Sequence, residues 1–318
     1  MLRILLVTFP FFALVLCGYL AARRGMLPQV AIPGLNAFVL YFALPCMLYR
    51  FGASTPVGQL LDFSLVAVYT VCAVLMVAIA VLMARKAGEN WNDASFGALV
   101  AAFPNTGFMG VPLLVALLGA QAAGPTIVTI LIDMVVTSSL CIALSRLDGA
   151  DEHGAARAGR LALKGVVVNP LPWAIALGAL ASGLDFQLPK PVMDTVTLLA
   201  NAASPVALFT IGAVLARSQM NSTASVPFRA YVPMAMLKLV LHPLLVGLAG
   251  LAAMRLGLPL DRFTLVVLVL VAALPSASNV ALLAERFGAD NGRIARIILL
   301  STVLAFFSFS AAVDFLTP

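Results

Sequence analysis

The hydrophobic pattern divides the chain into ten apolar segments separated by shorter polar stretches. Most segments contain about 20 residues or more, the length that an α-helix needs to cross about 30 Å of hydrocarbon. We therefore predict an all-α membrane protein with ten transmembrane helices. The segments are residues 2–22, 30–50, 62–84, 94–118, 122–145, 163–183, 192–216, 229–254, 263–284 and 294–316.

The amino-acid composition agrees with this prediction. Of the 318 residues, 62% are hydrophobic and 10% are charged, whereas a soluble domain has about 25% charged residues. Polar side chains are therefore too few to cover a water-soluble globule. The net charge of +6 is better explained by basic residues retained in cytoplasmic loops than by a nucleic-acid partner.

Residue types that usually build metal sites or enzyme active sites are sparse. The four cysteines lie within apolar segments and form no C-x-x-C pair, and the two histidines, His153 and His242, are far apart in the sequence. The chain has no G-x-S-x-G and no G-K-[ST] motif. We therefore predict no metal, no cofactor and no enzymatic activity.

The distribution of lysine and arginine predicts the orientation in the membrane. If the N-terminus lies outside, thirteen basic residues fall on the inner side and five on the outer side. Because cytoplasmic loops are enriched in basic residues, we predict both termini on the outer side of a bacterial inner membrane. The first segment is interpreted as a span rather than a signal peptide, because no small-residue cleavage site follows it.

The chain also contains a weak internal repeat. A polar linker at 147–162 separates two parts, 1–146 and 163–318, with five apolar segments each. An odd number of spans places the second part in the opposite orientation, which predicts an inverted repeat. Prolines and glycines match between the parts at a constant offset of 160, in the pairs Pro10/Pro170, Gly18/Gly178, Pro45/Pro205 and Gly52/Gly212.

The fourth and ninth segments contain sequences that cannot form regular helices. Residues 103–112 read F-P-N-T-G-F-M-G-V-P, and residues 274–279 read L-P-S-A-S-N. An interior proline removes a backbone hydrogen bond, and such a break survives in a membrane only inside protein or beside a water-filled cavity. Interrupted spans at corresponding positions indicate a transporter's binding site. The predicted substrate-binding residues are Pro104, Asn105, Thr106, Gly107, Pro275, Ser276, Ser278 and Asn279.

These breaks favour an anionic substrate. If they cross near the membrane midplane, helix N-termini direct unpaired N–H groups and partial positive charge towards the crossing. The amides of Asn105 and Asn279 add donors there. Pro45 and Pro205, in the second and seventh segments, are predicted hinges, with a fixed curvature for packing as the alternative.

Asp133, Lys238 and His242 lie well inside apolar segments, away from their ends, where a charge is costly and usually faces a cavity or a partner. Asp133 is predicted to accept protons or bind a coupling cation, and Lys238 to attract anions or balance charge. The alternatives are a structural Asp133–Lys238 pair or a Lys238 that extends to the interface. His242 is a candidate proton relay or a structural residue.

The motif at 103–112 resembles the signature of the auxin efflux carrier family, in its bacterial branch. The resemblance covers nearly the whole chain through its size, its ten segments, the proline after Ala43-Leu44 and the L-P-S-A-S-N sequence. It implies ten helices in two inverted five-helix repeats, with broken helices 4 and 9 that cross at the substrate site, as in the sodium/bile acid symporters. It also implies that Asn105 and the breaks at Pro104 and Pro275 line this site.

The resemblance further implies a carboxylate substrate such as malonate or malate, since bacterial members are described as permeases for these compounds and plant relatives export indole-3-acetate. The long cytoplasmic loop of many plant members is absent here, which argues against regulation through that loop and against auxin as the substrate. The related symporters hold sodium with acidic and amide groups near the crossing. Neither break in this chain carries a carboxylate, which argues against sodium.

We therefore predict a secondary transporter of small mono- or dicarboxylates that works by alternating access and is driven by protons or by the anion gradient. A sodium-coupled organic anion symporter and an exporter of aromatic carboxylates are the alternatives. A channel suits two inverted halves less well, and neither break carries a cluster that would suit an enzyme. The expected partners are the carboxylate and the lipid bilayer, and a homodimer is left open.

Overall fold

The computed structural model describes residues 2–56, 58, 62–147, 160, 167–221 and 226–317. The regular elements in these ranges are helical, and we number them in chain order. The helices are α1 (Leu2–Arg23), α2 (Gln29–Ser54), α3 (Phe63–Lys86), α4 (Trp91–Ala102), α5 (Thr106–Leu118), α6 (Ala120–Leu144), α7 (Pro170–Gly183), α8 (Lys190–Asn221), α9 (Phe228–Arg255), α10 (Arg262–Ala273), α11 (Asn279–Phe287) and α12 (Asn291–Leu316).

The helices coincide with the apolar segments. Seven of the described helices are long and apolar enough to cross a membrane, and α5, α7 and α10 are shorter apolar helices. The prediction of an all-helical membrane protein is therefore confirmed. The fourth segment is divided between α4 and α5, and the ninth between α10 and α11. Most of the linker predicted at 147–162 lies outside the described residues, and the division into two halves stays a prediction.

Polar residues begin several helices at the ends of the apolar segments. Their side-chain oxygens accept hydrogen bonds from backbone N–H groups in the first helical turn, which satisfies donors that have no partner within the helix. These caps fix where the membrane helices start. The capping residues are Asp62 of α3, Asn90 of α4, Asn169 of α7, Asp261 of α10 and Asp290 of α12.

Glycines allow two pairs of helices to pack with their backbones in contact. A Cβ atom on Gly18 of α1 would lie 1.8 Å from the carbonyl oxygen of Phe209 in α8, and one on Gly212 of α8 would lie 1.8 Å from that of Val15. Small residues are the usual means of close helix packing in lipid, where apolar side chains gain little from contact with one another. The α1–α8 pair therefore depends on these two glycines.

The second pair, α2 with α7, is built in the same way. A Cβ atom on Gly178 of α7 would lie 2.5 Å from the carbonyl oxygen of Tyr49 in α2, and one on Gly52 would lie 3.2 Å from that of Ile175. Together, α1, α2, α7 and α8 form a surface that we call the panel. The panel is thus joined by two glycine crossings.

A buried polar cluster joins other helices. Arg293, near the start of α12, is 4% exposed, forms an ion pair with Glu89 in the α3–α4 turn and donates from Nε to the carbonyl oxygen of Ala230 in α9 at 2.8 Å. Burial raises the pKa of Glu89 more than the Arg293 guanidinium lowers it. Gly97 of α4 leaves room for this side chain, since a Cβ atom there would lie 2.9 Å from Arg293 Nη2. The cluster holds α4, α9 and α12 together.

The glycine crossings lead to a stability prediction. We expect Gly212→Ala to lower the unfolding temperature of the detergent-purified protein, because the added methyl group meets backbone that moves only if α1 and α8 separate. Overpacking of this kind costs about 1–3 kcal/mol or more. Gly34→Ala is the matched control, since a Cβ atom on Gly34 of α2 meets nothing within 4 Å. Equal unfolding temperatures for Gly212→Ala and the wild type would contradict the close crossing.

Candidate functional site

The two interrupted spans meet at their breaks. The N–H of Asn105 donates to the carbonyl oxygen of Pro275 at 2.8 Å, and the N–H of Ala277 donates to that of Phe103 at 3.0 Å. These bonds form an isolated antiparallel bridge between Pro104 and Ser276. Buried backbone groups require partners of this kind, because the hydrocarbon offers no water. Each break therefore supplies the partners that the other lacks.

Four helix ends surround this bridge. The C-terminal ends of α4 and α10 lead into the breaks, and the N-terminal ends of α5 and α11 lead out of them. A helix carries about +0.5 elementary charge at its N-terminus and about −0.5 at its C-terminus. The crossing thus combines two positive and two negative helix ends, and nearby charged side chains decide the net field.

Two polar side chains at the bridge have no hydrogen-bond partner among the described residues. The hydroxyl of Ser276 is buried and makes no hydrogen bond within the described residues. Asn105 is 4% exposed, and its amide makes no hydrogen bond to another described residue. Buried polar groups are nearly always paired in folded proteins. The hydrogen-bonding capacity of these two groups is therefore not used by the described residues.

The backbone around Ser276 is held more firmly than its side chain. Its N–H donates to Ser301 Oγ of α12 at 3.2 Å, and Ser301 Oγ donates to the carbonyl oxygen of Ile298 at 3.0 Å. In the other break, Thr106 Oγ1 lies 3.5 Å from the carbonyl oxygen of Pro104. The breaks are thus fixed in position, which leaves the Ser276 hydroxyl and the Asn105 amide in defined places.

The breaks face the panel across a very small cavity. Ser278 and Phe108 line it on one side, with Asn36 of α2 and Thr210 of α8 among the residues on the other. Its volume is about 10 Å³, close to the minimum that holds one water molecule. A carboxylate fits between the breaks and the panel only if the two separate.

The remaining predicted site residues lie in the same region. Gly107 faces α2, since a Cβ atom there would lie 3.7 Å from Leu44 Cδ2, and Asn279 is half-buried at the start of α11. Pro45 follows a π-helical turn, Val39–Ala43, within α2, and the helix α8 continues through Pro205. Their role as hinges stays a prediction.

Lys238 binds the end of one of the helices that lead into the crossing. This residue of α9 is fully buried, so it does not extend to the interface. Its Nζ donates to the carbonyl oxygen of Ala272, in the last turn of α10, at 2.7 Å, and lies 3.0 Å from Nδ1 of His242. A cation is favoured at a helix C-terminus. Lys238 therefore offsets the negative end of α10.

Asp133 belongs to a neighbouring buried group. Its carboxylate accepts hydrogen bonds from the Tyr69 hydroxyl and from Thr137 Oγ1, both at 3.0 Å. The Tyr69 ring lies 6.2 Å from the ring of His242, whose Nε2 is buried without a hydrogen-bond partner among the described residues. No ion pair joins Asp133 to Lys238 in the part of the chain that the structure describes. A row of polar groups thus extends from Asp133 through Tyr69 and His242 to Lys238.

Comparison with known proteins places this architecture in a family. A family model described as "Membrane transport protein" matches residues 4–313. The chain belongs to the auxin efflux carrier family of membrane transport proteins. It is 31% identical over 301 residues to a protein of Rhizobium meliloti (strain 1021) named "Putative malonate transporter", which covers 93% of this chain and 90% of the relative.

Other members of the family are more distant. An Escherichia coli (strain K12) protein named "Uncharacterized transporter YfdV" is 27% identical over 285 residues, 87% of this chain and 86% of the relative. An "Uncharacterized transporter" of Methanothermobacter thermautotrophicus is 27% identical over 299 residues, 93% of this chain and 92% of the relative. These relatives support a transporter rather than an enzyme. Within the described residues of this family member, no group of three or more His, Cys, Asp and Glu side chains is placed to hold a metal ion.

Sequence reasoning missed three polar residues near the site of this transporter. Asn36 and Thr210 line the cavity opposite the breaks, and Tyr69 binds Asp133. Asn36 could have been identified from the sequence, because an amide within an apolar segment is costly unless it has a hydrogen-bond partner. Thr210 and Tyr69 could not have been identified in this way, since both residue types are common in membrane helices as packing residues.

The unpartnered hydroxyl leads to a paired stability prediction. We expect Ser276→Ala to leave the unfolding temperature unchanged or raised, because it removes a buried hydroxyl that binds nothing. We expect Ser301→Ala to destabilise the protein by about 1–3 kcal/mol, because it leaves the buried Ser276 N–H without an acceptor. Thermal unfolding in detergent measures both. Equal destabilisation by the two substitutions would show that the Ser276 hydroxyl has a structural partner.

Proposed function

We propose that this membrane transport protein is a secondary carrier of small mono- or dicarboxylates, such as malonate or malate. The observation that carries the proposal is the bridge between the two breaks, beside which the Asn105 amide and the Ser276 hydroxyl have no hydrogen-bond partner among the described residues. Both groups can donate hydrogen bonds to a ligand, and neither break contributes a carboxylate side chain. An anion with several acceptor oxygens suits such a site.

The helix ends favour the same class of substrate. The N-termini of α5 and α11 present N–H groups at the crossing, an arrangement that binds carboxylates and phosphates. Lys238 offsets the negative end of α10 through Ala272, so the positive ends predominate. The malonate named for the R. meliloti relative belongs to this chemical class.

The panel supports an inverted repeat and alternating access. At an offset of 160, Gly18 and Phe209 of the α1–α8 contact correspond to Gly178 and Tyr49 of the α2–α7 contact. The same offset relates the contact of Gly212 with Val15 to that of Gly52 with Ile175. We infer that two inverted five-helix halves build the panel together. The crossed helices would move against it, with Pro45 and Pro205 as bends, to open the small cavity to either side.

Protons are the coupling ion that the buried polar groups favour. Protonation of Asp133 would remove the negative charge from the buried row of polar groups that ends at Lys238, which makes the field at the end of α10 more positive and favours an anion at the crossing. Anion binding would in turn favour protonation of Asp133, because such linkage is reciprocal. His242 and Tyr69 lie between the two groups. The carrier would then move a carboxylate and a proton together through a bacterial inner membrane with both termini outside.

Uptake into proteoliposomes tests the function. We expect saturable uptake of at least one of malonate, malate, succinate, lactate and indole-3-acetate, measured at two pH values with and without sodium. Asn105→Ala should abolish or strongly weaken it, because the substrate loses an amide donor. Asn201→Ala, which removes an exposed amide bound to Arg50, is the control. No uptake of any of these carboxylates by well-folded protein would refute the proposal, and uptake that requires sodium would favour the symporter alternative.

A separate substitution tests proton coupling. An asparagine at position 133 can still accept the hydrogen bond from Tyr69, but it takes up no proton. We therefore expect net uptake by the Asp133→Asn variant to lose its pH dependence. Exchange of internal for external carboxylate should be retained. Asp194→Asn removes an exposed carboxylate paired with Lys190 and should behave as the wild type. Unaltered pH dependence in Asp133→Asn would exclude this residue as the coupling site.

A further inference from the structure

The panel contributes an amide to the small cavity opposite the breaks. Asn36 of α2 lines this cavity, together with Ser278 of the second break and Phe108 of α5. Asn36 is half-buried, and its amide makes no hydrogen bond to another described residue. A polar group inside a membrane protein is costly unless it has a partner. The described residues therefore leave the hydrogen-bonding capacity of Asn36 unused.

Thr210 of α8 adds an acceptor to the same cavity. Its Oγ1 donates to the carbonyl oxygen of Val206, one turn earlier in α8, at 2.6 Å, so the hydroxyl oxygen can still accept a hydrogen bond. No charged side chain is among the residues that line this cavity. The other panel residues that line it are apolar, namely Val39, Ala207, Ile211 and Val214.

The proposed inverted repeat does not account for Asn36. At the offset of 160, Asn36 of α2 corresponds to Val196 of α8, so the equivalent position in the other half of the panel is apolar. The π-helical turn that follows Asn36, Val39–Ala43, has no counterpart either, because α8 is a regular α-helix at 199–203. Irregular turns of this kind are frequent at functional sites. Both features are thus additions to one half of the panel, as expected of a binding site.

The cavity has polar groups on both of its walls. Ser278 belongs to the break that also carries the buried Ser276 hydroxyl, whereas Asn36 and Thr210 belong to the panel. When the breaks and the panel separate, a substrate that fills the space between them contacts both walls. A substrate with a polar group at each end satisfies both, but one with an apolar end leaves the Asn36 amide without a partner.

We propose that Asn36 is a specificity-determining residue, which binds the end of the substrate remote from the crossing. The proposal rests on the proposed function, because the ligand is the carboxylate held at the breaks. The amide selects substrates with polar groups at both ends, such as the dicarboxylate malonate, over monocarboxylates with an apolar end. A site built to hydrogen-bond a substrate group rejects an analogue that lacks it, because buried groups of the site are left unpaired.

Two substrates of similar shape test this role. Isovalerate resembles malonate, with methyl groups in place of the oxygens of one carboxyl group. We expect the wild type to transport malonate more efficiently, measured as the maximal rate divided by the half-saturation concentration, and equal efficiencies would contradict the proposal. Asn36→Leu keeps a branched side chain without a polar group. It should lower the ratio of malonate to isovalerate efficiency by about tenfold or more, because hydrogen bonds to a charged group are lost.

Two further variants separate specificity from structure. Asn36→Asp keeps the shape of the side chain but replaces its donor by an acceptor, and it should lower malonate transport more than isovalerate transport. Asn201→Leu makes the leucine substitution at an exposed amide of α8 that binds Arg50 and does not line the cavity, and it should leave the ratio unchanged. An equal loss of transport of both substrates in Asn36→Leu would show that the amide is structural and overturn the proposal.

Calorimetry in detergent separates this proposal from the proposed function. The wild type should bind malonate more tightly than isovalerate, and Asn36→Leu should reduce this difference. Such binding without any carboxylate uptake by the wild type would support the specificity site and refute the carrier function. Carboxylate uptake with an unchanged substrate ratio in Asn36→Leu would support the carrier and refute the role of Asn36. The absence of both binding and uptake would refute both proposals.

Discussion

The structure depends on one constraint, which is that backbone polar groups inside a membrane must find partners within the protein. Pro104 and Pro275 have no N–H group, so each break lacks donors and leaves carbonyl oxygens unpaired. Two hydrogen bonds join the breaks, from the N–H of Asn105 to the carbonyl oxygen of Pro275 and from the N–H of Ala277 to that of Phe103. Each break thus gives one donor to the other and receives one in return. Neither interruption would be tolerable alone in lipid, and their contact follows from this requirement.

Two kinds of interaction stabilise two different parts of the fold. The crossed helices are held by polar contacts, namely the bridge between the breaks, Lys238 on Ala272 and Arg293 with Glu89. The panel is held by close backbone packing at its glycines. Polar contacts fix the positions of individual groups, and glycine crossings fix the approach of whole helices. The cavity of about 10 Å³ lies between the crossed helices and the panel. Separation of these two parts at the cavity would expose the breaks.

The sequence predicts the helices and the positions of the breaks because both depend on local chemistry. A run of apolar residues spans the membrane whatever surrounds it, and prolines with glycines interrupt a helix wherever they occur. The partners of Asp133 and Lys238 were not predictable, because Tyr69 and Ala272 approach them only through packing of distant segments.

The position of Lys238 bears on which ion the crossing suits. Four helix ends of alternating sign would cancel if no charged side chain were present, and the C-terminal end of α10 would then attract a dissolved cation. Here a tethered ammonium group already donates to the Ala272 carbonyl oxygen. Entry of a sodium ion at that end would place two positive charges close together in a medium of low dielectric constant, which is costly. A single side chain would thus set the sign of the field at the crossing, in favour of the anion that the proposed function requires.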